Sequence, residues 1–178
     1  MLIFFNGCLF AQDLDGKTFI IQNNGAKVES NVLGAFYNQL GKNGTKIQLS
    51  KRDTSLENQS WTFKAVADTE DKYYIINQCS KAGKHKYLEA NWTTLGQDGG
   101  RVQLWEFNGT SNLKYGANQI WQITKNKNGS YTFTSAHPKS DGKVLEADSF
   151  SKQKDGYIVH LYFETKKPDQ TWNLLEKK

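Results

Sequence analysis

Cysteine, proline, methionine and arginine are all scarce in this chain of 178 residues: two, two, one and two of them respectively. Cys8 and Cys79 stand alone, so neither a Cys-x-x-Cys redox pair nor a cysteine zinc site nor a disulfide framework is implied. His85, His137 and His160 are far apart and fall in no metal-ligand spacing, and neither a Gly-x-Ser-x-Gly elbow nor a phosphate loop occurs. No metal, no cofactor and no catalysis are therefore expected. The formal charge of +5 is carried almost wholly by lysines scattered through turns, Arg52 and Arg101 being the arginines. Nucleic-acid surfaces cluster arginine with aromatic platforms, and that pattern is missing. No apolar run is long enough to span a bilayer, and helical periodicity never persists beyond about a dozen residues.

What the chain does have is turns and short β-rich runs. Asn-Gly or Asp-Gly pairs begin at Asp15, Asn24, Asn43, Asp98, Asn108, Asn128, Asp141 and Asp155, the chemistry of tight hairpins. Several of the N-x-S/T sequences, at Asn43, Asn58, Asn91, Asn108 and Asn128, coincide with such turns. The most informative stretch runs over residues 86–123, with strands expected at 87–90 and 101–105 around the Gly-rich turn 98–100, closing on Asn118-Gln119-Ile120-Trp121. The same grammar occurs twice more. Residues 27–31, 43–50 and 58–61 precede it, and residues 143–148, 155–162 and 169–172 follow it. Gln59/Trp61, Gln119/Trp121 and Gln170/Trp172 recur at intervals of 60 and 51 residues, so the chain reads as three repeats, roughly 15–66, 71–125 and 128–175.

Each repeat opens on a β-rich run (18–22, 73–77, 131–135), giving about four strands per repeat and twelve in all. Length differences fall in loops: residues 108–117 form the longest, and residues 32–41 read as an insertion in the first repeat. Residues 1–12 are apolar and uncharged through Ala11, which reads as the tail of a truncated secretory leader ahead of a domain at 13–178. A secreted protein is expected; Gly7-Cys8 offers the alternative of lipid anchoring to a cell envelope.

Three copies of [V/I]-x-L followed by N/D-Q-x-W, each after a [V/L]-E segment, resemble the ricin B-type (QxW) lectins over residues 16–175. The resemblance implies an all-β fold, a β-trefoil of three four-stranded repeats with pseudo-threefold symmetry. The three indoles would gather on that axis, each burying up to ~250 Å². It also implies a non-catalytic lectin with a shallow sugar site on each repeat, built from an acid, an aromatic ring and the Asn-Gln pair. The C–H face of a pyranose packs on the ring, while the polar groups select the hydroxyl epimer. Carried over, the second repeat offers Glu89, Trp105, Asn118 and Gln119, and the third Glu146, Tyr162, Asp169 and Gln170. The first offers Glu29, Asn58 and Gln59 as weaker candidates, because Ser50 stands where the ring belongs, leaving Phe36 or Tyr37 to supply one. Glu occupies the acidic position where the family carries Asp, displacing the carboxylate by about one bond, ~1.5 Å, so the expected partners are glycans, galactose-type or other sugars. Glu89 and Glu146 fall in separate pockets, whereas glycoside hydrolysis needs two carboxylates within about 10 Å. Monomer or weak homodimer is expected. Two other readings stay open: a trefoil acting by protein contacts, as a protease inhibitor or toxin adaptor, and a carbohydrate-binding module detached from a glycoside hydrolase.

Overall fold

A computed structural model describes residues 13–25, 31–79, 85–108, 117–153 and 156–177, without the side chains of residues 149, 150, 152 and 153. The leader, Cys8 and Glu29 lie outside the described residues, as does most of the 108–117 loop. Short amphipathic runs separated by Gly and Asn turns form twelve strands: β1 (Thr18–Asn23), β2 (Asn31–Ala35), β3 (Thr45–Lys51), β4 (Ser60–Ala65), β5 (Lys72–Asn77), β6 (Lys86–Ala90), β7 (Gly100–Trp105), β8 (Ile120–Lys125), β9 (Tyr131–Ser135), β10 (Val144–Gln153), β11 (Gly156–Tyr162) and β12 (Trp172–Glu176). The helical elements among the described residues are three-residue 3₁₀ turns. The molecule is an all-β β-trefoil.

Antiparallel pairing runs β1–β4–β5–β8–β9–β12 and back to β1, a closed ring of six strands. Three hairpins, β2–β3, β6–β7 and β10–β11, cap one end, and β3, β7 and β11 pair with one another around a triangle. Closure of the ring gives each of its six strands a partner on both sides. The approach within the triangle is close: a Cβ at Gly156, whose φ is +144°, would lie 1.6 Å from the Leu49 carbonyl oxygen, so only glycine fits.

Trp61, Trp121 and Trp172 are fully buried in the common core with Leu33, Leu49, Leu88, Leu104, Leu145 and Leu161. Each indole Nε1–H donates to a hairpin carbonyl: Trp61 to Leu33 at 2.9 Å, Trp121 to Leu88 at 2.9 Å and Trp172 to Leu145 at 3.1 Å. These bonds tie each barrel wall to its own hairpin and satisfy the one polar group of a buried ring.

The bonds also fix the alignment of the repeats. Leu33 faces Leu49, Leu88 faces Leu104 and Leu145 faces Leu161, so the acidic positions Glu89 and Glu146 correspond to Gly34 in the first repeat. Residues 32–41 are therefore no insertion; they are β2 and its turn, the counterparts of residues 87–96. Sequence matching misaligned them because residues 27–29, Lys-Val-Glu, imitate the Lys-x-Leu-Glu of the other repeats. The structure ranks the Leu33 carbonyl and its tryptophan above that likeness. Lysine ties join neighbouring repeats: Lys86 Nζ donates to Asn43 Oδ1 at 2.7 Å and to Glu106 at 3.1 Å, and Lys143 Nζ to Asp98 at 2.7 Å.

Replacing Trp121 by alanine removes a fully buried ring and strands the Leu88 carbonyl, so urea unfolding should show a loss of about 3–5 kcal/mol. A loss below 1 kcal/mol would show that the indole is not structural.

Candidate functional site

Strand pleating puts alternate residues on one face, and in each hairpin the outward face carries the polar set. In the second repeat Glu89 faces Gln103 and Tyr87 faces Trp105, so the carboxylate and the indole lie on the same face. Glu89 is 5% exposed; Gln103 Nε2 donates to its Oε1 at 2.9 Å and Gln119 Nε2 to its Oε2 at 3.0 Å. Burial pushes the Glu89 carboxyl above the usual glutamate value, against the pull of the Gln103, Gln119 and Asn118 amides. Gln119 also bridges the loop, donating to the Glu106 carbonyl at 2.8 Å and accepting from the Asn108 amide at 3.3 Å. Asn118 Nδ2 donates to the Ala90 carbonyl at 3.3 Å. Trp105 remains partly exposed at 39%. Three of the four sequence candidates thus form a buried hydrogen-bonded floor beside an accessible ring.

The third repeat builds the same floor with different chemistry. Gln170 Nε2 donates to Glu146 Oε2 at 2.6 Å and to the Phe163 carbonyl at 2.8 Å, and its Oε1 accepts from the Thr165 amide at 2.7 Å. His160, at the Gln103 position, lies with Nε2 3.1 Å from Glu146 Oε1. Its ring stacks on Tyr162 at 5.7 Å, and Tyr162 lies 4.6 Å from Phe163, half of which is exposed. A cleft of about 260 Å³ opens among Glu146, Asp148, His160, Tyr162, Thr165, Lys167 and Asp169. Two of its buried oxygens, Thr165 Oγ1 and Asp169 Oδ1, have no hydrogen-bond partner. Sequence reasoning singled out Glu146, Tyr162, Asp169 and Gln170 but missed Thr165 and Lys167, which no repeat motif marks. His160, weighed there only as a metal ligand, is marked by its match to the Gln103 position.

The first repeat departs most. Asn58 Nδ2 donates to the Ala35 carbonyl at 2.7 Å, as Asn118 does to Ala90. Gln59 Nε2 donates to the Lys51 carbonyl at 2.9 Å and, with no glutamate available, to Ser50 Oγ at 3.0 Å. Serine in place of an aromatic ring leaves a wider cleft of about 730 Å³, lined in part by Tyr37, Gln48, Ser50, Arg52 and Asn58. Another exposed ring, Trp92, lies outside the sequence candidates. It packs edge-on to His137 at 5.1 Å with Lys139 Nζ 5.0 Å from its centroid. His137 Nδ1 accepts from the Lys139 amide, so the neutral ring carries its proton on Nε2, which has no conventional acceptor. Burial, then the Lys139 charge, holds this imidazole below the usual histidine value.

No family model matches the sequence, and no curated protein is detectably similar to it. Solved structures do resemble it in fold. The designed threefold-symmetric protein ThreeFoil is 20% identical with a TM-score of 0.71, the match covering 90% of this chain and 99% of that one. An exo-β-1,3-galactanase from Clostridium thermocellum is 21% identical with a TM-score of 0.71, covering 92% of this chain but 31% of the enzyme. The Polyporus squamosus lectin, bound to the human-type influenza-binding epitope Neu5Acα2-6Galβ1-4GlcNAc, is 16% identical with a TM-score of 0.67, covering 91% of this chain and 49% of the lectin. The chain thus spans about a third of the galactanase and half of the Polyporus lectin. No helix among the described residues is long and apolar enough to cross a membrane.

Asp169 stands where Asn58 and Asn118 donate to backbone carbonyls. Burial, then the charge of Glu146, pushes its carboxyl above the ordinary aspartate value. An acid raised on folding adds stability below its unfolded pKa, and that stability is lost as pH rises through the folded value. Asp169→Asn should restore the amide donor and raise stability at pH 7 by about 1 kcal/mol, one regained hydrogen bond. Its advantage over wild type should shrink on acidification through the window above the ordinary aspartate value, as thermal melts across pH 3–7 would read. A variant less stable than wild type at pH 7 would refute this account.

Proposed function

We propose that the chain is a non-catalytic carbohydrate-binding protein of the ricin B type, engaging saccharides through the outward faces of its repeats. The carrying observation is the third-repeat cleft. Thr165 Oγ1 and Asp169 Oδ1 lie buried there without partners, in a cleft that the half-buried Tyr162 ring also lines. Unpaired buried oxygens beside an aromatic face suit a ligand that is apolar on one side and rich in hydroxyls on the other, which describes a pyranose. Glu146 and Gln170 hold the floor, and Asp169 selects hydroxyl donors. In the second repeat, Glu89, Asn118 and Gln119 hold the floor beneath the Trp105 indole. The fold shared with the Polyporus lectin supports the reading.

Export is proposed on the apolar, uncharged residues 1–11, with residues 13–178 as the binding domain. Shallow sites of this kind gain strength when several are engaged on one glycan-dense surface.

A glycan array followed by calorimetry on the best neutral hit tests the reading. Tyr162→Ala and Trp105→Ala should each weaken binding at their own repeat by about tenfold, the worth of one stacked ring, with thermal midpoints nearly unchanged. An array without neutral or acidic hits, alongside capture of a defined protein partner, would replace the carbohydrate reading with one based on protein contacts.

A further inference from the structure

The first and third clefts occupy equivalent positions yet differ in charge. The third is walled by Glu146, Asp148 and Asp169 against Lys167 and His160. In the first, glycine replaces the acid, and the space is already taken: a Cβ on Gly34 would lie 3.3 Å from Gln59 Cγ and 3.4 Å from Ser50 Oγ. The Ser50 hydroxyl has taken over the acceptor role that a carboxylate plays for Gln119 and Gln170. The one carboxylate on the wall, Asp53, is turned into its own loop, accepting from the Ser55 amide at 3.0 Å and the Ser55 hydroxyl at 2.6 Å. Lys51 and Arg52 line the same cleft, are exposed, and have no ion-pair partner among the described residues. Tyr37, 55% exposed, supplies a ring on a wall contributed by the turn after β2.

We infer that the first-repeat cleft is an acidic-saccharide site: it takes a pyranose bearing a carboxylate or a sulfate, which Arg52 and Lys51 pair with while Tyr37 packs against the ring. The inference rests on the carbohydrate reading and gives it a second ligand class. Glycine at position 34 removes one fixed negative charge, and with it part of the repulsion of an anionic ligand, while Asp53 stays engaged with Ser55; a guanidinium offers paired donors to either oxyanion. At about 730 Å³ the cleft has room for a sugar with its charged substituent.

The test compares three probes by calorimetry: methyl β-glucuronide, methyl β-galactoside 6-sulfate and uncharged methyl β-galactoside. Proton–nitrogen spectra report which amides move. Both anionic probes, or one of them, should shift the amides of Gly34 and Ser50, bind at least tenfold more tightly than the neutral probe at this cleft and weaken with added salt. Arg52→Ala should weaken anionic binding about tenfold, as loss of a charge-assisted contact does, and Lys51→Gln by less. A remote double variant on the β8–β9 hairpin, Lys125→Ala with Lys127→Ala, removes two charges and should leave anionic binding unchanged. The carboxylate and sulfate arms decide which oxyanion is preferred. Anionic probes that bind no better than the neutral one, or that lose equal affinity in the remote variant, would overturn the inference while leaving the neutral-sugar reading intact. Failure of all three probes together with an empty array would instead remove the carbohydrate reading itself.

Discussion

The hydrogen bond from each buried indole to a leucine carbonyl sets the rest of the molecule. It joins barrel wall to hairpin within a repeat, with Trp61 on Leu33, Trp121 on Leu88 and Trp172 on Leu145. Two residues before each tryptophan comes a glutamine, which the same constraint brings under the outer face of that hairpin. Its amide then holds the loop carbonyl of Lys51, Glu106 or Phe163. Scaffold and site are therefore one hydrogen-bonded chain of command, running from core ring to rim. The Gln-x-Trp spacing recurs because the glutamine ends a 3₁₀ turn and the tryptophan lies in the strand that follows, where a shift of one residue would turn the indole to the opposite face.

The acid above that glutamine illustrates how one framework holds different chemistry. Glu89 is sealed between two glutamine amides, an arrangement that satisfies both oxygens and keeps the carboxyl away from solvent. Glu146 exchanges one amide for the His160 imidazole, and its neighbour Asp169 keeps an oxygen without a partner. In the first repeat the acid and the ring are replaced together, by Gly34 and Ser50, which touch the same glutamine. The two changes are coupled: without the acid, Gln59 needs another acceptor, and a small hydroxyl residue at position 50 supplies it.

Most of the architecture was readable from the chain. Twelve short strands, the threefold recurrence and the inward tryptophans all follow from turn chemistry and period-two patterning, which act locally. The alignment of the first repeat did not, because Lys-Val-Glu at 27–29 imitates the motif. The deciding constraint, Leu33 opposite Leu49 beneath Trp61, joins residues distant in sequence. The same limit explains the sites. Glu146, Tyr162 and Gln170 carry repeat signatures, whereas Thr165, Lys167 and Arg52 sit in loops whose composition differs from repeat to repeat. The first-repeat cleft looked deficient when judged by what it lacks; its width and its cations emerge only once Tyr37 and Arg52 face a common space.

The lysine ties between repeats have a consequence for how the three faces are arranged. Lys86 is 4% exposed, and one of its two acceptors, Asn43, belongs to the preceding repeat; Lys143 reaches back in the same way to Asp98. Parting of the repeats would take Asn43 from the Lys86 ammonium, leaving it Glu106, and would take the Asp98 carboxylate from the buried Lys143, at an energetic penalty. Adjacent lobes are thereby locked edge to edge. The outward faces keep a constant pitch and bearing, like marks on a dial, so a surface touching more than one of them would have to match that spacing.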